Sequence, residues 1–183
     1  MEADWEVEIG GEAPVIDAHW PGFVDLRLTP VRAAQVPEAA QLPALTDALV
    51  RLNALSSPVW TAKCDVWPVT EFDPDELDAP SEAATNAVAC YVDLLPVSDQ
   101  QWNSPESAAI YCKSLCGRLR PITLRCCRAD LVIRRAHITP VLEGLGITAY
   151  LTACGPTSAE ANAIPAHGLA ALTVSIHPIP AAS

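Results

Sequence analysis

The sequence predicts an α+β fold: a ferredoxin-like βαββαβ plait with extra strands at its N- and C-terminal ends. Three observations point there. The tetrapeptide Phe23-Val24-Asp25-Leu26 returns as Tyr91-Val92-Asp93-Leu94, and both copies alternate apolar and polar residues with the period of a half-buried strand. Each copy is followed by a turn-rich segment, a helical pattern and a second strand with its own aspartate, Asp65 and Asp130. Read as an internal β-α-β duplication, residues 23–135 have the element order of the plait. That order packs the helices mainly on one face of an antiparallel sheet.

A chain of 183 residues has the length of a single domain. The expected divisions are an N-terminal strand pair (1–22), a first β-α-β repeat (23–69), an acidic loop (70–86), a second repeat (87–136), and C-terminal strands with a short helix (137–183). In the first division Trp5, Val7 and Ile9 alternate on one face, and Gly10-Gly11 breaks the run before Val15-Ile16. Strand 23–29 sets Val24, Leu26 and Leu28 against Phe23, Asp25 and Arg27, and Pro30 closes it. Leu42, Leu45, Leu49 and Leu52 then recur at helical spacing, with Pro43 in the first turn, where a missing N–H is harmless. Strand 59–67 follows, and Pro68 ends it.

The next connection carries Glu71, Asp73, Asp75, Glu76, Asp78 and Glu82. It lacks the glycine and terminal glutamate of an EF-hand, so it reads as a solvated acidic loop. Strand 88–95 holds the second copy of the motif. Ser104-Pro105-Glu106 opens a helix with a capping residue, a first-turn proline and a first-turn acid. Ala108, Cys112, Leu115, Cys116 and Leu119 form the buried stripe of that helix. Strands 123–135 and 147–154 come next, and Gly144-Leu145-Gly146, lacking the rest of a dinucleotide fingerprint, reads as a turn. Thr157-Ser158-Ala159-Glu160 is a capping box opening a short helix that Pro165 should limit. Alternation in 169–177 predicts a last strand.

Composition narrows the function classes. The formal net charge of −11 argues against nucleic acid and against an anionic membrane surface, since both need clustered Lys and Arg. The N-terminus has neither the basic nor the apolar region of a signal peptide, so the expected location is cytoplasmic. The seven cysteines are then expected to be reduced. Their spacing includes no CxxC, which disfavours structural metal, and Cys154, between a strand and a capped helix start, reads as core ahead of a reactive thiol. No cofactor and no metal is expected.

If the apolar strand faces meet the helices, the opposite face collects Asp25, Arg27, Lys63, Asp65, Trp67, Tyr91, Asp93, Arg128, Asp130 and Arg134, with Phe23 beside them. Aromatics interleaved with charges suit a ligand or subunit contact. The expected function is therefore a non-enzymatic binding or oligomerisation module, with a homo-oligomer, a small molecule or a protein as partner. The alternative is a small metal-dependent hydrolase or transferase using clustered aspartates. Phe23-Val24-Asp25-Leu26-Arg27 resembles the metal-binding strand of nucleotidyl cyclase and polymerase palm domains, a likeness that would make Asp25 a metal ligand. The second acid those families carry on the central hairpin has no counterpart after Trp67-Pro68. A final asymmetry is the basic stretch 113–135, which holds Lys113, Arg118, Arg120, Arg125, Arg128, Arg134 and Arg135 against one acid, Asp130. Its expected counterpart is the acidic loop.

Overall fold

The computed structural model describes residues 1–80, 84–98, 101–139 and 142–177; Glu82 of the acidic loop lies outside the described residues. Its centre is a six-stranded mixed sheet made of β1 (Glu2–Glu8), β2 (Ile16–Asp17), β3 (Val59–Val69), β4 (Asn86–Pro96), β5 (Cys127–Thr139) and β6 (Leu142–Gly155). The spatial order is β1-β5-β6-β4-β3, and β2 extends the β1 edge by pairing with the later part of β5. β1 and β2 run parallel to β5, and the remaining pairs are antiparallel.

Among the described residues four α-helices accompany the sheet: α1 (Pro37–Gln41), α2 (Pro43–Leu52), α3 (Pro105–Leu119) and α4 (Ser158–Ile176). Alternate residues of the central strands, such as Val92, Leu94, Leu131, Ile133, Ile147 and Leu151, meet Leu45 and Leu49 of α2, Cys112 and Leu115 of α3, and Leu169 and Leu172 of α4 in one core. α2, α3 and α4 start where the sequence says they should, while the stretch holding Pro37, expected as a loop, forms the short α1. Ser104 Oγ accepts from the Ser107 backbone N–H, and the Ser107 hydroxyl accepts from the Ser104 N–H. Pro43 opens α2 after Leu42, which is extended as a residue before proline tends to be.

Two expected elements are absent and change the topology. Residues 23–29 are not a strand. Asp25 instead accepts the Arg27 backbone N–H (3.0 Å), a local turn bond that competes with a sheet ladder, and Leu28 is 90% exposed. The first β-α-β repeat therefore does not form, and Asp25 and Asp93 do not occupy equivalent positions. Nor are residues 169–177 a strand, because α4 runs through Pro165 to Ile176. An interior proline costs about 3 kcal/mol, but packing usually outweighs local propensity, and here Ala161, Pro165, Leu169, Leu172 and Ile176 are all buried. Gly168 assists, since a Cβ there would lie 3.0 Å from Cys127 Sγ on the sheet.

Three smaller corrections bear on the open face. The N-terminal strands are not a pair, for each pairs with β5. Gly144 and Gly146 lie within β6 and not in a turn. A Cβ on Gly146 would come within 2.7 Å of Ile16 Cδ1 and 3.0 Å of Leu95 Cδ2, so glycine lets the β2 segment lie directly on the sheet. That segment buries Ile16 and Ala18 with Trp60, Ala62 and Leu95 at one end of the open face. At the other end the acidic loop tucks Leu77 and Ala79 against Ala87 and Cys154. Between these two covers the sheet stays open.

The basic stretch finds its partners in several places, two of them on β1. Arg120 donates to the Ala3 carbonyl (2.9 Å) and Arg134 to Glu8 (2.7 Å). The acidic loop supplies one, an exposed Arg125–Asp78 ion pair at 3.2 Å.

Candidate functional site

The open trench is built by register. Asp93 on β4 stands directly opposite Thr148 on β6, and Tyr91 opposite Tyr150. On the other side of β4, Thr61 pairs with Leu94 and Cys64 with Val92, so a bulge sets both Ala62 and Lys63 against Asp93. A bulge re-aims a side chain, and this one sends Lys63 to the same cavity as Asp93. Arg134 on β5 enters from the far side. Asp17 and Trp20, from the segment covering the sheet, supply the remaining wall. The result is a cavity of about 310 Å³ lined by Lys63, Tyr91, Asp93, Arg134, Thr148 and Tyr150 below and by residues 14–17 and Trp20 above.

Asp93 is the unusual member. It is only 7% exposed, and Thr148 Oγ1 donates to its Oδ1 at 2.6 Å. Burial pushes its carboxyl up to about 6, against the opposing pull of the Thr148 hydrogen bond and of the Arg134 and Lys63 charges. Arg134 does not reach it directly. Its Nη1 donates to Thr148 Oγ1 (3.2 Å) and to Tyr150 Oη (2.9 Å), while Nε and Nη2 both donate to Glu8 Oε2 (2.9 and 2.7 Å). Thr148 thus accepts from Arg134 and passes its own hydrogen to Asp93. Beside them Trp67, Tyr91 and Tyr150 form an aromatic trio with ring centres 5.7–6.5 Å apart. Burial, then the neighbouring Asp93 and Asp65 charges, raises the Tyr91 hydroxyl well above the ordinary tyrosine range.

Of the ten residues singled out in the sequence, Lys63, Tyr91, Asp93 and Arg134 come together here. Asp65 and Trp67 flank them on β3, with Asp65 opposite Tyr91. Arg128 and Asp130 lie further along β5 and neutralise one another through a 2.8 Å ion pair. Asp25 and Arg27 are off the sheet, where Arg27 stacks over the Trp60 ring at 4.2 Å. The Arg27 side chain hydrogen-bonds Asp25 and holds its carboxyl below the usual range. The four aspartates therefore do not converge. Among the described residues no group of three or more His, Cys, Asp or Glu side chains is placed to hold a metal ion.

Sequence reasoning missed Thr148, Tyr150, Glu8 and Trp20. Alternation along β6 carried a signal for the first two; nothing local marked the others. The cysteines behave as core. All seven are free, and burial pushes the thiols of Cys64, Cys90, Cys112 and Cys127 up to about 12 and that of Cys154 to about 11. A larger hollow of about 480 Å³, between the β3–β4 ends and the start of α4, is lined by Gln41, Trp67, Phe72, Asn86, Ser158 and Asn162 among others, and none of its described lining residues has an ionisable side chain. No helix among the described residues is long and apolar enough to cross a membrane. Comparison with protein-family models, with curated proteins and with solved structures finds no significant match, so the geometry of the site alone speaks to function.

Proposed function

We propose that this protein is a binding module that holds a small polar molecule in the cavity around Asp93. One observation carries the reading: a buried carboxylate with a single hydrogen-bond partner among the described residues faces a space large enough for a ligand. Burying an ionisable group so sparsely satisfied is unfavourable, and such groups gather at functional sites. The recessed trench, walled by Trp20 at one end and closed by Leu77 at the other, suits a small molecule better than the flat face of a second subunit. We also infer that β3-β4-α3-β5-β6-α4 is a plait in circularly permuted order. β3, preceding β4 in the chain, takes the sheet position that the last strand of a ferredoxin-like unit would take.

The test is an NMR screen of the full ¹⁵N-labelled chain against a library of water-soluble fragments. The expected result is that hits shift the amides of Lys63, Asp93, Thr148 and Tyr150. Hits that gather at the larger hollow, or an absence of hits, would overturn the proposal. A proton-transfer enzyme is the second reading, favoured by an Asp93 carboxyl at about 6, near the working range of a general base. A bound molecule recovered unchanged supports binding; one recovered as its isomer supports turnover.

A further inference from the structure

The cavity sorts its own charges, and the sorting indicates what it would hold. Arg134 is already engaged, with four donor contacts to Glu8, Thr148 and Tyr150. Its charge is matched by Glu8 across a 2.7 Å ion pair in which the arginine side chain is only 14% exposed. The Thr148 hydroxyl has given its hydrogen to Asp93. Lys63 is exposed, with its ammonium 5.7 Å above the Trp20 ring, so it sits at the mouth. What remains inside is the acceptor-only Asp93 carboxylate among the rings of Trp20, Tyr91 and Tyr150, with a second carboxylate, Asp17, on the covering wall.

That combination selects by charge. An ionised carboxylate makes its strongest hydrogen bonds to cationic N–H donors, and aromatic rings attract the same cations. An anion would meet Asp93 with the nearby guanidinium already occupied, and Lys63 at the mouth would be the cation left to attract it. We infer that the cavity takes an organic amine, with its ammonium on Asp93 and its carbon body among Trp20, Tyr91 and Tyr150. This rests on the reading of the cavity as a binding site and adds the ligand class. The charged and titratable groups around Asp93 are Lys63 from β3, Tyr91 from its own strand, Arg134 from β5, Tyr150 from β6 and Asp17 from β2. Asp93→Asn separates its titration from theirs.

Three probes of one shape decide the matter: benzylamine, benzyl alcohol and benzoate, each titrated into the full ¹⁵N-labelled chain. At about pH 7.5, benzylamine is expected to bind at least about tenfold more tightly than either analogue, with shifts at Asp93 and Thr148. Lowering the solution to about pH 5 should weaken it about tenfold as Asp93 takes up a proton, and Asp93→Asn should level the three probes. Equal or tighter binding of benzoate or benzyl alcohol in the cavity overturns the amine assignment and leaves the binding site standing. If none of the three shifts the cavity residues, the amine assignment falls, and the fragment screen separately decides the site. The pH titration of the unaltered protein keeps the assignment falsifiable should Asp93→Asn fail to fold.

Discussion

The two faces of this sheet share the same backbone and have opposite characters. On the helix side, Leu131, Ile133, Ile147 and Leu94 are completely buried, and α3 and α4 fill the space above them. On the other side, one residue along each strand, stand Asp93, Thr148, Tyr150 and Arg134. Among the described residues, the ends of that face are sealed, by the β2 segment and by the acidic loop. An antiparallel sheet permits this division because successive side chains point to opposite faces. The helix face supplies cohesion. The open face spends some of it to keep a carboxylate in a cavity.

Substitutions that act on one face alone should break or sharpen this contrast. The largest effect belongs to the helix face. Leu131→Ala removes a fully buried side chain and leaves a cavity, and should cost ~2–5 kcal/mol in urea unfolding; a loss below ~1 kcal/mol would mean that this face is loosely packed.

On the open face the sign should reverse. Because burial raises the Asp93 carboxyl from 3.8 to about 6, the folded state holds its proton more tightly than the unfolded state. The associated stability is present below about pH 4 and is lost as the pH rises through about 6. Asp93→Asn should therefore stabilise the protein by ~1–3 kcal/mol at about pH 7.5 and add little at about pH 3.5. Denaturant midpoints at the two pH values check this, and destabilisation at about pH 7.5 would show that the carboxylate is structurally required.

The smallest effect is reserved for Asp130, which shares that face but is paired. Arg128 and Asp130 have side chains 31% and 35% exposed, and such a pair contributes ~0–1 kcal/mol. Asp130→Asn should shift the denaturant midpoint barely at all, and a change as large as that at Asp93 would erase the distinction between them.

The contrast between these aspartates was partly legible beforehand. Residues two apart on a strand share a face, and Asp130 has Arg128 at that spacing, whereas Asp93 has Tyr91 and Leu95. Asp93 is thus the acid with no cation on its own strand. Local signals served well where local forces decide. Ser104-Pro105-Glu106 marked the start of α3 because capping is a matter of a few neighbouring residues. They failed where partners decide. Phe23-Val24-Asp25-Leu26 has the same pattern as Tyr91-Val92-Asp93-Leu94, yet it turns back on itself through Asp25 and Arg27 instead of joining the sheet. The run 169–177 satisfies a period of two, but Leu169, Leu172 and Ile176 also satisfy the helical period, and their burial in α4 settled the choice.

By itself, then, the amino-acid order determined which residues of β4 and β5 face together, where α2 and α3 begin, and that Lys63, Tyr91, Asp93 and Arg134 share a side; alternation put Ala62 with Cys64 and Val66, and the β3 bulge moves it to the open face. Periodicity and capping are properties of a short stretch of chain. Only the tertiary structure decided that Thr148 stands beside Asp93, that Glu8 claims Arg134, and that Trp20 walls the cavity. Those relations join residues far apart in sequence. The raised Asp93 carboxyl depends on the water that they exclude, and desolvation is set by everything that surrounds a group in space.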